Sequence, residues 1–207
     1  MHSSVLLITF TTLLAYLIGG LPFGYLFVRF TLGKDVRTMG SGNIGATNVH
    51  RSAGGKAGVI VLFLDIAKGF LGVLLASLVT HGNDLAISFA IVAVMLGHCY
   101  PVFLHFRGGK AVACYIGAFL FAAPLALFAV SALFVLIVAL TRFISLGSIL
   151  GAAAFPFFLW FIYKPSPALL CASIFAAILI TYRHRGNIER LRTGTESIFS
   201  FKGGSAR

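Results

Sequence analysis

The sequence is poor in charged residues, and acidic residues are the scarcest of them. Only 5 of its 207 residues are Asp or Glu, against 16 Lys or Arg, and charged residues make up 10% of the chain. A soluble domain carries roughly 25% charged residues, so this composition excludes an ordinary soluble protein. Cysteine is scarce too: Cys99, Cys114 and Cys171 lack the paired spacing of a disulfide framework or a zinc site. We expect three buried thiols.

Long apolar runs take the place of the missing charge, and the mean hydropathy is +1.00. The runs cover residues 5–28, 57–79, 85–104, 111–140, 146–163 and 168–182. About 20 apolar residues span a bilayer. The first run has no basic n-region and no A-x-A-like cleavage site, so we interpret it as a span and not as a signal peptide. The sequence predicts an all-α polytopic membrane protein that forms one integral-membrane domain over residues 1–207.

Basic residues are unevenly distributed, and this bias predicts the topology. They concentrate in residues 29–56, in residues 105–110 and in the tail after residue 182. Cytoplasmic loops collect Lys and Arg, so these three regions should share one side. As a single helix, residues 111–140 would be about 45 Å long, whereas a break near Pro124 gives two crossings. We predict about seven transmembrane helices, an outside N-terminus, a cytoplasmic C-terminus, and polar loops and short helices that form a cytoplasmic-side site.

A glycine pattern, Gly40, Gly42 and Gly45 in the order G-x-G-x-x-G, raises the question of dinucleotide binding. Asp65 follows twenty positions after the last glycine, as the ribose-binding acid would. That fingerprint needs a soluble βαβ unit around it. Because Asp65 lies inside an apolar run, we exclude the dinucleotide interpretation.

Three polar segments interrupt the apolar chain on the side expected to be cytoplasmic. The first polar segment is residues 34–56, the second is residues 97–113 and the third is residues 182–196. Glycine-rich backbone with hydroxyl, amide and basic side chains favours binding of phosphate groups. The alternative is that these cations only attract anionic lipid headgroups. That alternative does not explain the hydroxyl and amide residues that alternate with glycine in GSGNIGATN.

The three segments contain GSGNIGATNVHR, GHCYPVFLHFRGGKAVA and HRGNIERLRTGTE. These resemble, in order and spacing, the signature motifs of the bacterial acyl-phosphate:glycerol-3-phosphate acyltransferases. The resemblance implies a seven-helix enzyme of the bacterial inner membrane that makes lysophosphatidic acid and phosphate. It implies acyl phosphate, glycerol 3-phosphate and membrane lipids as partners, contact with the enzyme that makes acyl phosphate, no nucleic acid and no cofactor or metal. Ala111 and Cys114 replace the glycine and threonine usual in the second motif, which affects the geometry expected there.

The resemblance also implies site residues. We expect Ser41, His98 and Asn187 to be catalytic. The expected substrate-binding residues are Gly42, Asn43, Gly45, Thr47, Asn48, Arg51, Gly108, Gly109, Lys110, Ser145, Arg183, His184, Arg190 and Glu196. No histidine precedes an aspartate by five positions, so the base is either His98 or a substrate phosphate. Asp65 and Lys68, three residues apart, are expected to pair.

A membrane transporter for phosphate or a phosphorylated metabolite is the alternative function, since the same cationic segments could serve it. A transporter needs polar residues along a path through the midplane. Beyond Asp65 and Lys68 the apolar runs offer few.

Overall fold

The computed structural model describes residues 2–199, and these contain α-helices and two short 3-10 turns but no β-strand. The α-helices are α1 (His2–Gly20), α2 (Phe23–Leu32), α3 (Ala46–Ala53), α4 (Gly55–Val79), α5 (Asp84–Cys99), α6 (Val112–Ala122), α7 (Pro124–Thr141), α8 (Ile144–Tyr163), α9 (Pro167–Arg183) and α10 (Arg185–Arg192). The all-α architecture predicted from the sequence is confirmed. It leaves no room for a dinucleotide-binding sheet within this part of the chain.

Several helices are long and apolar enough to cross a bilayer. Within the described residues there are five such stretches, Ser4–Leu32, Gly55–Val79, Asp84–Leu104, Pro124–Thr141 and Ile144–Tyr163. A sixth forms if α9 and α10 count as one span bent by 56°. The chain is therefore a multi-pass membrane protein. A seventh crossing would fall to α6, whose 11 residues reach only about 16 Å, so the count of seven stays a prediction.

The longest apolar run breaks where the sequence predicts. α6 ends at Ala122 and α7 begins at Pro124. Proline has no backbone N–H, which is no loss in a first helical turn, where N–H groups have no intrahelical acceptor. The break turns one run too long for a bilayer into two helices.

Close backbone contact fixes α6 against α4. A side-chain carbon at Gly117 would lie 1.9 Å from the carbonyl oxygen of Ile66, and one at Gly69 would lie 2.2 Å from that of Cys114. Small residues let transmembrane helices approach in this way. The contact holds the start of α6, and Lys110 just before it, beside the buried part of α4.

A buried lysine ties α4 to the break between α1 and α2. Lys68 donates a hydrogen bond of 2.6 Å from Nζ to the carbonyl oxygen of Leu21, which lies between these helices. Its ammonium also lies 2.8 Å from Oδ1 of Asp65, and both side chains are 2% exposed. The expected pairing of Asp65 with Lys68 is confirmed, and Lys68 adds a side-chain donor to a carbonyl that also accepts a hydrogen bond of 3.1 Å from the backbone N–H of Phe23.

The expectation of three buried thiols is only partly right. Cys99 and Cys114 are buried, but Cys171 is exposed. Cys171 lies on α9, one of the apolar helices, where an exposed side chain faces the region that lipid occupies. A cysteine behaves as a small apolar residue, so this position needs no protein partner.

Candidate active site

The three polar segments converge on one cleft of about 370 Å³. The cleft lies between α3, the first turns of α4, the start of α6, the start of α8, and α10 with the residues after it. Of the expected site residues, it is lined by Ser41, Asn43, Gly45, Thr47, Asn48, Arg51, His98, Lys110, Ser145, His184, Asn187, Arg190 and Glu196. Residues up to 155 positions apart in the chain thus share one concave surface, as expected of a single site.

Asn48 organises the first polar segment. Its side-chain nitrogen donates hydrogen bonds to the carbonyl oxygens of Val36, Met39 and Asn43, and its side-chain oxygen accepts one from the backbone N–H of Ser41. Asn48 is 2% exposed. These contacts give Asn48 a role in shaping the loop, which differs from the direct phosphate contact expected from its residue type.

The same loop aims the N-terminus of α3 into the cleft. The side-chain oxygen of Asn43 accepts a hydrogen bond of 2.8 Å from the N–H of Gly45, the residue before the helix. Gly45, Ala46 and Thr47 line the cleft. The first N–H groups of a helix have no intrahelical acceptor and carry a partial positive charge. This end of the cleft is therefore suited to an anion.

The third polar segment is held together by Glu196. Its carboxylate accepts hydrogen bonds from Ser145 (2.8 Å), from the amide nitrogen of Asn187 (2.7 Å) and from Nε of Arg190 (2.8 Å). The amide oxygen of Asn187 in turn accepts a hydrogen bond from Nζ of Lys110. One carboxylate thus fixes the orientation of an amide, a hydroxyl and a guanidinium around the cleft.

The charges in this network are tuned by burial and by one another. Burial, opposed by Glu196 and assisted by nearby Arg190, Arg51 and Arg183, lowers the pKa of Lys110 to about 8. Burial disfavours the charged form of Glu196, but hydrogen bonds from Asn187, Ser145 and Arg190 outweigh it and hold the pKa of this carboxyl below its ordinary value. Near neutral pH the cationic Lys110, Arg51 and Arg190 therefore share the cleft with the Glu196 carboxylate, which is held by three hydrogen bonds.

His98 lies in the last turn of α5, at the bottom of the cleft. It is 4% exposed, and its Nδ1 lies 3.8 Å from Oδ1 of Asp65. On the other side of the ring, a side-chain carbon at Gly109 would lie 2.1 Å from Nε2. The ring is thus confined between α4 and the backbone just before Lys110.

His184 contributes one free ring nitrogen to the cleft. Its Nδ1 lies 2.8 Å from the carbonyl oxygen of Ile180, so Nδ1 donates and Nε2 is an acceptor in the neutral ring. His184 is 3% exposed and lines the cleft. Glu189, the acidic residue five positions after His184, is exposed and lies outside the cleft lining, so the two do not form a site together.

Four expected site residues do not line the cleft. Gly42, Gly108 and Arg183 line a second cavity that shares no lining residue with the cleft, and Gly109 lines neither. Arg183 donates from Nη2 to the carbonyl oxygen of Gly108 (2.9 Å) and from Nε to that of Gly109 (3.0 Å). Arg183 therefore holds the loop that carries Lys110, and it lines the second cavity and not the cleft, although its charge still acts on Lys110.

Several residues that line the cleft could not be predicted from the sequence. After Glu196 the chain crosses its edge, so that Ser197 and Phe199 line it too. The N–H of Phe199 donates 2.9 Å to the carbonyl oxygen of Arg142, and its ring lies 5.8 Å from that of His50. A lone aromatic residue in a polar tail carries no signal of such a contact.

One wall of the cleft is apolar and reaches the outer surface of the bundle. It is formed by Val59, Leu62, Val112, Ile116, Phe134 and Ile144. Val59 is 51% exposed and Leu62 36%. A molecule with a charged end and a hydrocarbon chain fits this combination: the charge beside Lys110 and Arg51, and the chain along α4.

Comparison with known proteins agrees with this geometry. Residues 9–194 match the family model described as glycerol-3-phosphate acyltransferase. The glycerol-3-phosphate acyltransferase of Syntrophotalea carbinolica is 45% identical over 90% of this chain and 95% of its own length. That of Jannaschia sp. is 45% identical over 94% of each chain.

Two solved structures of PlsY, an integral membrane glycerol 3-phosphate acyltransferase, share the fold. Its glycerol 3-phosphate form superposes with a TM-score of 0.87 at 40% identity, over 96% of both chains. Its lysophosphatidic acid form gives 0.83 at 38% identity, again over 96% of both. Family model, relatives and fold agree over nearly the whole chain, and the protein therefore belongs to the glycerol-3-phosphate acyltransferase family.

Proposed function

We propose that this protein transfers a fatty acyl group from acyl phosphate to glycerol 3-phosphate, giving 1-acyl-glycerol 3-phosphate and phosphate. The observation that carries the proposal is the cleft itself, which joins a cationic end to an apolar wall that reaches the lipid-facing surface. Both substrates carry phosphate, and one also carries an acyl chain. The whole chain acts as one domain in this proposal.

Glycerol 3-phosphate is assigned to the cationic end. Lys110, Arg51 and Arg190 offer charge-assisted hydrogen bonds to phosphate oxygens, and the N-terminus of α3 adds backbone N–H donors. Asn187 and Ser145, oriented by Glu196, are placed to bind the glycerol hydroxyls. Glu196 is an anion in a site proposed for phosphate. Its role there is to accept hydrogen bonds from Asn187 and Ser145 and so fix the orientation of these neutral side chains.

The acyl chain of the donor is assigned to the apolar wall. Val59 and Ile116 lie on facing helices, α4 and α6, and the wall continues to Phe134 on α7. Burying one CH₂ group contributes about 0.8 kcal/mol, so a long chain binds here without any polar contact. Ser41, exposed near the N-terminus of α3, is assigned to the phosphate or carbonyl oxygen of the donor.

In the reaction, the glycerol hydroxyl oxygen forms an ester bond with the acyl carbon, and the bond from that carbon to phosphate oxygen breaks. Phosphate is a good leaving group, so the protein contributes mainly positioning and charge stabilisation. We propose that a substrate phosphate accepts the hydroxyl proton. The confinement of His98 between Asp65 and Gly109 supports an orienting role for its ring over a role as base.

The alternative of a transporter has less support. A transport path needs polar groups through the midplane, whereas Asp65 and Lys68, buried on α4, are engaged with each other and with Leu21. We also propose that the cleft faces the cytoplasm of a bacterial cell, in the inner membrane. The basic loops support this orientation, and it would place the cleft beside the enzyme that makes acyl phosphate.

The test is an assay of the purified full-length chain with acyl phosphate and radiolabelled glycerol 3-phosphate. We expect acylated product and phosphate in equal amounts, and no product with acyl coenzyme A alone. Product from acyl coenzyme A but not from acyl phosphate would show that the donor is wrong. Uptake of glycerol 3-phosphate into vesicles without any acylated product would favour the transporter.

A further inference from the structure

The structure contains a second cavity, of about 480 Å³, besides the cleft. Its lining residues are Asp35, Arg37, Thr38, Gly42, Phe106, Arg107, Gly108 and Arg183. It shares no lining residue with the cleft, although all three polar segments contribute to both. Residues close in sequence line different cavities. Ser41 lines the cleft, and the next residue, Gly42, lines the second cavity. Lys110 lines the cleft, and Gly108, two residues before it, lines the second cavity.

The second cavity has an excess of positive charge. It brings together three guanidinium groups and a single carboxylate. That carboxylate, Asp35, is already satisfied, since Arg37 donates to it from Nε (3.0 Å and 3.1 Å) and from Nη2 (2.7 Å). The hydrogen bond from Arg37 also holds the pKa of Asp35 below its ordinary value, so the carboxylate stays ionised and paired.

The other two arginines keep donors available. Arg183 uses Nε and Nη2 on the loop carbonyls of Gly108 and Gly109, which leaves Nη1. The side chain of Arg107 is exposed and forms no hydrogen bond or ion pair with any residue of the described range 2–199, whereas its backbone N–H donates to the carbonyl oxygen of Leu104 (3.1 Å). Guanidinium groups favour phosphate because their planar donors match its oxygens.

An apolar edge lies beside these cations. Phe106, which lines the cavity, is 59% exposed, and Phe103 and Val102 in the turn just before it are 53% and 45% exposed. This turn follows α5, so it lies where a membrane-spanning helix meets the headgroup region. Exposed aromatic rings next to arginine are suited to a molecule with a phosphate group and an acyl chain.

We propose that the second cavity is a separate binding site for a phosphate group, used by an anionic phospholipid or by a free phosphate ion. It is not a substrate subsite of the transfer reaction. Lys110 lines the cleft and not this cavity, so a ligand held by Arg107 and Arg183 would not occupy the position assigned to glycerol 3-phosphate. A bound phosphate group would hold the side chains of Arg107 and Arg183 in place. Because Arg183 donates to the loop that carries Lys110, the ligand would also stabilise that loop.

Binding to the full-length chain in detergent tests the proposal. The lipid probe is phosphatidylglycerol, with phosphatidylcholine for comparison, and bound lipid is counted by native mass spectrometry. Inorganic phosphate is titrated separately by calorimetry. The variant is Arg107→Glu. The matched control is Arg192→Glu, because Arg192 is also an exposed arginine but lines neither cavity.

We expect the wild type and Arg192→Glu to retain phosphatidylglycerol over phosphatidylcholine, and Arg107→Glu to lose about fivefold in affinity, since one basic residue near a membrane surface is worth about 1 kcal/mol. The same loss for inorganic phosphate, without lipid selectivity, would identify free phosphate as the ligand. Equal loss in both variants, or no loss in Arg107→Glu with either probe, would overturn the proposal. Thermal unfolding of both variants shows whether they are folded.

Discussion

Lys110 and Asn187, 77 residues apart, are joined by a hydrogen bond from the lysine ammonium to the amide oxygen. The amide nitrogen of Asn187 donates to Glu196, so its two ends cannot be interchanged. The second and third polar segments thus meet at one oriented side chain. Lys110 lies in this partly buried network, where its charge depends on its surroundings. The effect of that charge on substrate binding can be measured as a function of pH.

The binding of glycerol 3-phosphate should weaken above pH 8. The pKa of Lys110 is lowered to about 8 by burial and nearby arginines, so its ammonium is charged below that pH and is lost as pH rises through it. Well above the pKa, the charged fraction falls about tenfold per pH unit. The measurement is kcat/KM for glycerol 3-phosphate between pH 6.5 and 9.5. Lys110→Arg, which stays charged, should show a smaller decline, and a flat wild-type profile would contradict the prediction.

Removal of Arg51 should impair phosphate binding. Arg51→Ala leaves the fold intact because the side chain is only partly buried and lines the cleft. A hydrogen bond to a charged group contributes about 1.5–3 kcal/mol, so we expect kcat/KM to fall roughly 10- to 100-fold. Arg192→Ala is the control, with unchanged kinetics expected. Near-normal activity of Arg51→Ala would indicate that the first polar segment attracts lipid headgroups and does not bind a substrate phosphate.

The role of His98 can be separated by substitution with asparagine. Asparagine retains a hydrogen-bonding group beside Asp65 but cannot act as a base. We expect His98→Asn to retain measurable transfer, with the loss mostly in KM for glycerol 3-phosphate. Removing a required base would cost roughly 100-fold or more in kcat. A folded variant whose kcat falls by several orders of magnitude at saturating substrates would identify His98 as the base.

Ala111 adopts a conformation that favours glycine. Its φ is 62°, in the left-handed region, which costs a residue with a Cβ roughly 1–2 kcal/mol. Glycine is the usual residue at this position of the resembling motif. After allowing for the greater entropy of glycine in the unfolded chain, Ala111→Gly should raise the free energy of unfolding by about 0.5–1 kcal/mol.

The matched control for this substitution is Ala113→Gly. Ala113 lies within α6, where glycine lowers stability by roughly 0.5–1 kcal/mol. Denaturation in detergent, followed by circular dichroism, should therefore shift in opposite directions for the two variants. A loss of stability in Ala111→Gly would show that the buried methyl group contributes more than the backbone strain costs.

Topology is testable by cysteine labelling in a background where the exposed Cys171 is replaced. Position 52 serves for the first polar segment and position 205, outside the described residues, for the tail. Position 108 is unsuitable, because a Cβ there would lie 2.1 Å from the carbonyl oxygen of His98. The exposed His105 is the better site. All three should label from the cytoplasmic side, and labelling of 205 from outside would disprove seven spans.

Some of this structure could be predicted from sequence because its causes are local. Proline restricts its own backbone, so the break at Pro124 is readable. The position of Lys and Arg reflects membrane insertion, which brings the polar segments together on one side. The partners of Asn48 and Arg183 are different, because they are backbone carbonyls that only the folded loops present. Their residue types suggested phosphate contacts, whereas their hydrogen bonds shape the loops.

Val59 and Leu62 make the cleft accessible from the lipid side as well as from water. One substrate would reach the cleft from water and the other from the bilayer, so their concentrations are expressed in different units. A water-soluble substrate such as glycerol 3-phosphate is counted per volume of solution, but an acyl donor dissolved in the bilayer is counted per area of membrane. Diluting the donor with inert lipid at constant bulk concentration should therefore slow the reaction, so the rate of a reconstituted enzyme is governed by the donor's mole fraction in the bilayer.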